Sequence, residues 1–254
     1  MNKRIIFLSL TAMITCCSCI IDDMAPPDDI SNGSSKDSIF NLSIIEPSDL
    51  TFTVGKNTFL TVSDNTGKVY EISRSGDLIS TLDFTGIDLE GICVDTLTGD
   101  VYVAQERLSQ IVHLSPTGVI KETLTLTGYI TADANSNFEG VSKNGDTLYI
   151  VKEKNPGLLI KYNLATKNWT STTLTFALDY SAITYDAVDK TLWIMSDESH
   201  TLFHCNLNGK ALTKQSISVL QPEGIVIDHK ANCAWVVGDS DKKLFKIILK
   251  QLTL

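Results

Sequence analysis

An imperfect repeat runs through most of this chain and restricts its fold more than any other feature. Each unit begins with a short apolar strand, in the segments PSDLTF (47–52), DLEGICVD (88–95), NFEGVS (137–142), DYSAITYD (179–186) and QPEGIVID (221–228). A second apolar strand follows in each unit and ends in an acidic residue: Asp64, Glu106, Glu153, Asp197 or Asp239, spaced by 42, 47, 44 and 42 residues. A third strand and, in four units, a fourth complete the pattern. A period of about 40–45 residues with four strands per unit predicts a β-propeller.

The repeat count predicts an all-β, five-bladed propeller of four-stranded antiparallel blades. The last unit stops after its third strand, near Leu249, whereas a propeller must close to remove its sheet edges. The N-terminal stretch 39–45 (IFNLSII) precedes the first unit and has no other partner, so we expect it to supply the missing outer strand. The alternative is six blades with one diverged unit, but no unassigned stretch is long enough for it.

The first 19 residues have the pattern of a bacterial lipoprotein signal peptide. Lys3 and Arg4 precede an apolar run, 5–14, that is too short to span a membrane but suits the apolar region of a signal peptide. Cysteines follow shortly after this run, and a cysteine at this position resembles the modified cysteine of a bacterial lipobox. Cys17 and Cys19 are both candidates for lipidation, and an ordinary cleaved signal peptide is the alternative. Two acyl chains on one cysteine would give stable anchoring.

Residues 20–38 are predicted to be a flexible tether, because this stretch is rich in Asp, Pro, Ser and Asn and too polar to fold. The propeller domain is then 39–254. The cysteines of this domain are Cys93, Cys205 and Cys233, which are far apart and odd in number. Buried free thiols are the expected state, with a single disulfide as the alternative.

The chain is acidic, with a formal net charge of −9. Because such a surface repels phosphate backbones, nucleic acid is not an expected partner. The charge is compatible with cations and with basic partners.

Three glutamates recur at one position of the repeat, each followed by glycine: Glu90, Glu139 and Glu223. A glutamate at the start of the innermost strand points near the mouth of the central channel. Three converging carboxylates repel one another and either raise their pKa values or recruit a cation. Oxygen ligands suit a hard cation, and calcium is the expected one.

The set DLEG (88–91), NFEG (137–140) and PEG (222–224), together with SDES (196–199) and KEKNP (152–156), resembles the SdiA-regulated (YjiK-like) family over nearly all of 45–250. The resemblance implies a five-bladed propeller that is distantly related to NHL-repeat propellers and is associated with bound calcium. It implies no settled biochemical activity.

The segment before Glu139 resembles the calcium-associated stretch of that family. It alternates the side-chain oxygens of Asp133, Asn135 and Asn137, without the pattern of an EF-hand loop. These three residues join the glutamates as predicted metal ligands. Thr51 and Ser181 stand where the first and fourth repeats would carry the glutamate, so any ring of carboxylates is asymmetric.

A scaffold role is the alternative for all these acids, since repeated carboxylates in propellers also accept backbone hydrogen bonds and fix turns. For the three glutamates the two roles are equally supported. Glu106, Glu153 and Asp197 are secondary acidic positions with a predicted structural role, because every repeat fills this position.

No catalytic motif is present in the sequence, which favours a binding module over an enzyme and yields no catalytic residue. We expect a monomer anchored to the cell envelope, at the outer membrane, facing the periplasm or the cell surface, that engages an unidentified protein or small molecule. The alternative is a calcium-dependent hydrolase of the lactonase or phosphoesterase kind, with its metal at the channel mouth.

Overall fold

The computed structural model describes residues 37–129 and 135–250. The predicted signal peptide, the lipidation candidates Cys17 and Cys19, most of the predicted tether, and Asp133 lie outside the described residues. Within the described part, the chain is built from strands and loops, with one 3-10 turn at His229–Ala231. This part contains no helix with the length and apolar character needed to cross a bilayer.

In the described residues, twenty strands form five antiparallel sheets of four, which are the five predicted blades. Blade 1 contains β2 Pro47–Phe52, β3 Phe59–Ser63, β4 Lys68–Ile72 and β5 Leu78–Thr85. Blade 2 contains β6 Leu89–Val94, β7 Val101–Gln105, β8 Gln110–Leu114 and β9 Ile120–Thr125. Blade 3 contains β10 Phe138–Asn144, β11 Thr147–Lys152, β12 Leu158–Asn163 and β13 Trp169–Thr173. Blade 4 contains β14 Ala182–Asp186, β15 Thr191–Ser196, β16 Thr201–Cys205 and β17 Ala211–Ser216. Blade 5 contains β18 Pro222–Asp228, β19 Cys233–Gly238, β20 Lys243–Ile248 and β1 Ser38–Asn41.

The N-terminal strand closes the ring, as the sequence predicts, although it is shorter than the stretch 39–45. Strand β1 pairs antiparallel with β20, with Ser38 opposite Lys246 and Asn41 opposite Lys243. The last blade is therefore assembled from both ends of the domain. Its third strand does not remain an unpaired edge, which would expose a row of free backbone groups.

The core consists of five clusters, one between each pair of neighbouring blades. Burial decreases outward through each blade: β7 and β19 are buried at every position, whereas β5 and β9 are mostly exposed. The second strand of each unit is mainly apolar because it faces a neighbouring blade on both sides.

The three cysteines of the domain are buried and free, as expected, so the disulfide alternative is not realised. Burial raises the pKa of the Cys233 thiol to about 11, which leaves it protonated at neutral pH.

Candidate metal centre

A β-bulge at the start of the innermost strand directs each repeated glutamate toward the channel mouth. In β6 the register passes from Leu89 opposite Gln105 to Gly91 opposite Ala104, so that Glu90 has no cross-strand partner. The same shift in register leaves Glu139 in β10 and Glu223 in β18 without a cross-strand partner. A bulge re-aims the side chain of the extra residue. The three glutamates consequently line one cavity.

The first repeat requires a correction, because Ser48 and not Thr51 occupies the glutamate position. The bulge of β2 falls between Pro47 and Asp49, which places Ser48 at the channel mouth. Thr51 lies three residues further along the strand and lines the opposite opening of the channel. The first repeat has Asp49 where three other repeats have glycine. It therefore lacks the Glu-Gly pair by which those repeats can be aligned. Ser181 lines the mouth in blade 4, as predicted.

The cavity at this mouth, the acidic well, measures about 230 Å³. Within the described chain no lysine or arginine lines it. Three of its residues are uncharged: Ser48, Asn135 and Ser181. The other nine are carboxylates: Glu46, Asp64, Glu90, Glu139, Glu153, Asp179, Asp197, Glu223 and Asp239.

The well raises the pKa of its central carboxylates. Burial, reinforced by the neighbouring Asp64, raises the pKa of Glu90 well above its usual range. Burial and then Glu90 do the same to the pKa of Glu139. Burial, followed by Asp197 and Asp239, raises the pKa of Glu223 to about 8. Each carboxylate thus has a strong tendency to keep its proton or to take up a cation.

Some acids around the well serve the scaffold. Asp179 accepts the backbone N–H groups of Asp197 and Glu198, at 3.2 and 3.1 Å. Asp88 accepts the N–H of Arg107 at 3.0 Å and forms an ion pair with its guanidinium at 3.1 Å. These bonds hold the turn after the second strand in place.

The three secondary acidic residues differ in position: one bonds to the backbone outside the well, and two line the well. Glu106 accepts the N–H of Asn137 at 2.9 Å and does not line the well, which agrees with a structural role. Glu153 and Asp197 line it, and Glu153 is neutralised by Lys154, with nitrogen and oxygen 2.7 Å apart.

The predicted asparagine ligands also differ from one another. Asn135 lines the well. The buried Asn137 does not, because its amide is engaged elsewhere: Nδ2 donates to Ser109 Oγ at 2.6 Å and Oδ1 accepts from the Tyr129 hydroxyl at 2.7 Å. The hydrogen bonds of Asn137 therefore hold its own loop in place, and its side chain does not face the well.

Among the described residues, Asp64, Asp88 and Glu90 form one group of oxygen ligands, in which one oxygen from each lies within 4.8 Å of the others. Two oxygens bound to one calcium at 2.3–2.6 Å are separated by at most about 5 Å, so the spacing fits a shared ion. Asp64 and Asp88 were absent from the predicted ligand set. Asp64 belongs to the repeated acidic position, but its approach to Glu90 depends on the contact between blades 1 and 2.

The opposite opening is larger, about 920 Å³, and differs in charge. Lys56, Arg74, Lys143 and Lys230 are among its lining residues. Two of these cations pair with carboxylates of the same opening, Arg74 with Asp228 and Lys143 with Asp95, both at 2.8 Å. The two mouths of the channel thus differ in charge, because among the described residues lysine and arginine line only the larger opening.

A closed ring of five blades with a carboxylate-lined channel mouth defines a small β-propeller with a candidate cation centre. The chain belongs to the SdiA-regulated family, whose family model matches residues 41–245. The family assignment agrees with the resemblance carried by the repeated Glu-Gly pairs.

Three solved structures share this fold at low sequence identity. A streptogramin B lyase is 15% identical, with a TM-score of 0.52, over 85% of this chain and 74% of the other. The virginiamycin B lyase from Staphylococcus aureus is 13% identical, with a TM-score of 0.54, over 85% and 99%. A nidogen/laminin complex contains a chain that is 15% identical, with a TM-score of 0.57, over 76% and 72%. These likenesses concern the propeller fold alone.

Proposed function

We propose that this propeller binds calcium in the acidic well and acts as a binding module displayed on the cell envelope. The observation that carries the proposal is the convergence of nine carboxylates on one cavity of about 230 Å³. Gathering so many like charges costs free energy unless protons or a cation neutralise them. A divalent cation with oxygen ligands reduces that cost at neutral pH.

Calcium fits this donor set better than a softer metal. Carboxylate, hydroxyl and amide oxygens line the well, whereas zinc and copper favour imidazole or thiolate ligands. The bulged glutamates and the group of Asp64, Asp88 and Glu90 are the proposed ligands. When bound, the ion would neutralise these carboxylates and offer an oxygen-binding site at the channel mouth.

Thermal unfolding and titration calorimetry with calcium, magnesium and chelator test the metal site. We expect calcium to raise the melting temperature, with about 2.7 kcal/mol of stabilisation when its concentration is 100-fold above the Kd. Glu139→Gln should lose most of this effect, because it removes a charge inside the well.

The matched control is Glu122→Gln, a glutamate on the outer surface that pairs with Lys167 at 2.7 Å. This variant should respond to calcium as the unmodified protein does. An unmodified protein whose melting temperature is the same in calcium and in chelator would sink the proposal, and the acids would then be scaffold.

The anchoring part of the proposal rests on the sequence of the first 19 residues. Lipid on Cys17 or Cys19 and the tether behind it would hold the domain at the outer membrane. Metabolic labelling with a palmitate analogue checks this part, since the lipid should disappear when the modified cysteine is replaced by serine.

A calcium-dependent hydrolase is the second candidate. It is favoured by one observation in the calcium-free protein, the pKa of Glu223 near 8, which would suit a general acid or base at neutral pH if another carboxylate of the well holds the ion in its place. A screen of lactones and phosphoesters with calcium tests it. Hydrolysis that survives Glu223→Gln would count against this role for Glu223.

A further inference from the structure

Four exposed aliphatic side chains lie in the loops that lead into the strands at the acidic well. They are Ile45, Ile87, Leu178 and Leu220, with exposed fractions of 42%, 58%, 67% and 64%. Each belongs to the loop that enters an innermost strand, at the same position of its repeat. We call this set the apolar ring. Only blade 3 departs from it, with the buried Ser136 in that position.

The apolar ring lies on the same face of the propeller as the well. Each ring residue directly precedes Glu46, Asp88, Asp179 or Gln221 in the sequence. Glu46 and Asp179 line the well, and Asp88 has an oxygen within 4.8 Å of oxygens from Asp64 and Glu90. The innermost strands of a propeller run in the same direction around the axis, so their first residues meet at one mouth.

Packing does not require these four side chains, since each leaves much of its surface in water. Single exposed aliphatic residues are common on soluble proteins. Four exposed aliphatic residues at one structural position of the repeat differ from such scattered residues, because together they form an apolar border beside a strongly charged cavity. Such borders are typical of surfaces that become covered by a partner.

We propose that the apolar ring and the acidic well together dock a protein segment in which lysine or arginine is flanked by aliphatic side chains. The cation would enter the well, whose carboxylates favour it, and the aliphatic neighbours would cover the ring. The proposal rests on the proposed binding-module function but does not depend on calcium. One divalent ion offsets two charges and leaves the well acidic.

A second copy of the chain is a poor occupant of this face. Two copies related by a twofold axis would place one acidic well against the other, and like charges oppose such a contact. The concentration dependence of the molecular mass in solution distinguishes this case from docking of a basic segment.

Fluorescence polarisation with three short labelled peptides tests the proposal on the purified protein. The first alternates leucine with lysine and arginine, the second replaces the basic residues by glutamine, and the third replaces the leucines by serine. We expect the first peptide to bind roughly tenfold more tightly than either control, because each control lacks one of the two complementary features.

The test variant is the triple substitution Ile87→Ser, Leu178→Ser and Leu220→Ser. Its matched control is Val54→Ser, Leu97→Ser and Val188→Ser, which removes aliphatic side chains that are 54%, 91% and 66% exposed at the opposite face. The ring variant should bind the first peptide roughly tenfold more weakly, whereas the control should bind it unchanged.

Calcium titration of the same variants separates this inference from the metal site. Unchanged calcium binding with lost peptide binding supports docking on the ring. The inference is overturned if no peptide binds, if the serine peptide binds as well as the leucine peptide, or if both triple variants weaken binding equally. It is also overturned if the unmodified protein self-associates and the ring variant does not, because a second copy would then cover this face.

Discussion

At the scale of single residues, the fold changes the chemistry of side chains that the sequence presents as equivalent acids. Burial and neighbouring carboxylates raise the pKa of Glu223 from an ordinary value of 4.5 to about 8. In contrast, Lys143 and the backbone N–H of Leu97 more than offset burial at Asp95 and lower its pKa. The difference depends on which charges lie nearby and not on the residue type.

These shifts predict how the stability of the calcium-free protein depends on pH. Because the folded protein holds the Glu223 proton more tightly than the unfolded chain does, this group's contribution is fully present below pH 4.5 and is lost as the pH rises through about 8. In chelator we expect the free energy of unfolding to fall over this interval, by roughly 4–5 kcal/mol for this group. Denaturant unfolding at a series of pH values measures it.

Glu223→Gln should flatten that dependence, because glutamine carries no titratable proton. Saturating calcium should flatten it as well if the well binds the ion. A calcium-free protein whose stability stays constant or rises between pH 4.5 and 8 would contradict the assigned shift.

Asp49 is a residue whose role the sequence alone did not reveal. It occupies the glycine position of the first repeat and is buried at the hub. Its Oδ1 accepts the N–H of Leu50, and its Oδ2 accepts the N–H of Ile92 in the next blade, both at 2.7 Å. The carboxylate thereby joins blades 1 and 2 at the hub, where the other bulged strands have glycine.

At the scale of elements, the glycine after each bulged glutamate allows neighbouring innermost strands to approach closely. A Cβ on Gly224 would lie 2.6 Å from the Asp49 carbonyl carbon, and a Cβ on Gly140 would lie 2.7 Å from the Ile183 nitrogen. Backbone atoms cannot move away as a flexible side chain can. The repeated Glu-Gly pair therefore combines two requirements, a bulge that directs a carboxylate and a close contact at the hub.

Gly224→Ala should destabilise the protein by roughly 2–3 kcal/mol through overpacking at the hub. Chemical denaturation measures the change. The control is Gly55→Ala, in a surface loop where the nearest atom to a new Cβ is an Asn57 side-chain nitrogen at 3.4 Å. Equal effects of the two substitutions would show that hub packing is not the reason for the glycine.

At the scale of the whole molecule, the ring depends on the short strand β1. Phe40 of this strand stacks on Trp235 with ring centroids 6.0 Å apart, and Asp37 Oδ1 accepts the N–H of Ile248 at 2.8 Å. Arg74 adds to the junction between blades 5 and 1 through its ion pair with Asp228. Closure is therefore distributed over contacts that are distant in sequence.

Removal of residues 37–41 should lower the free energy of unfolding by at least about 3 kcal/mol, and the exposed edge of β20 should promote aggregation. A chain that begins at Asp37 is the control and should unfold in a single transition. Calorimetry and light scattering measure both effects. Equal stability of the two chains would mean that β1 is not needed for closure.

The strand content, the five repeats and the position of Glu90, Glu139 and Glu223 could be read from the amino-acid sequence, because these depend on local alternation and on a recurring register. Three features of the site followed from the folded structure instead: Ser48 and not Thr51 faces the well, Asp64 and Asp88 lie close to Glu90, and Asn137 bonds to Tyr129 and Ser109. These outcomes depend on bulges and on contacts between blades. A bulge that lacks its glycine leaves no local signal, and the distance between carboxylates of different blades is set by the curvature of the closed ring.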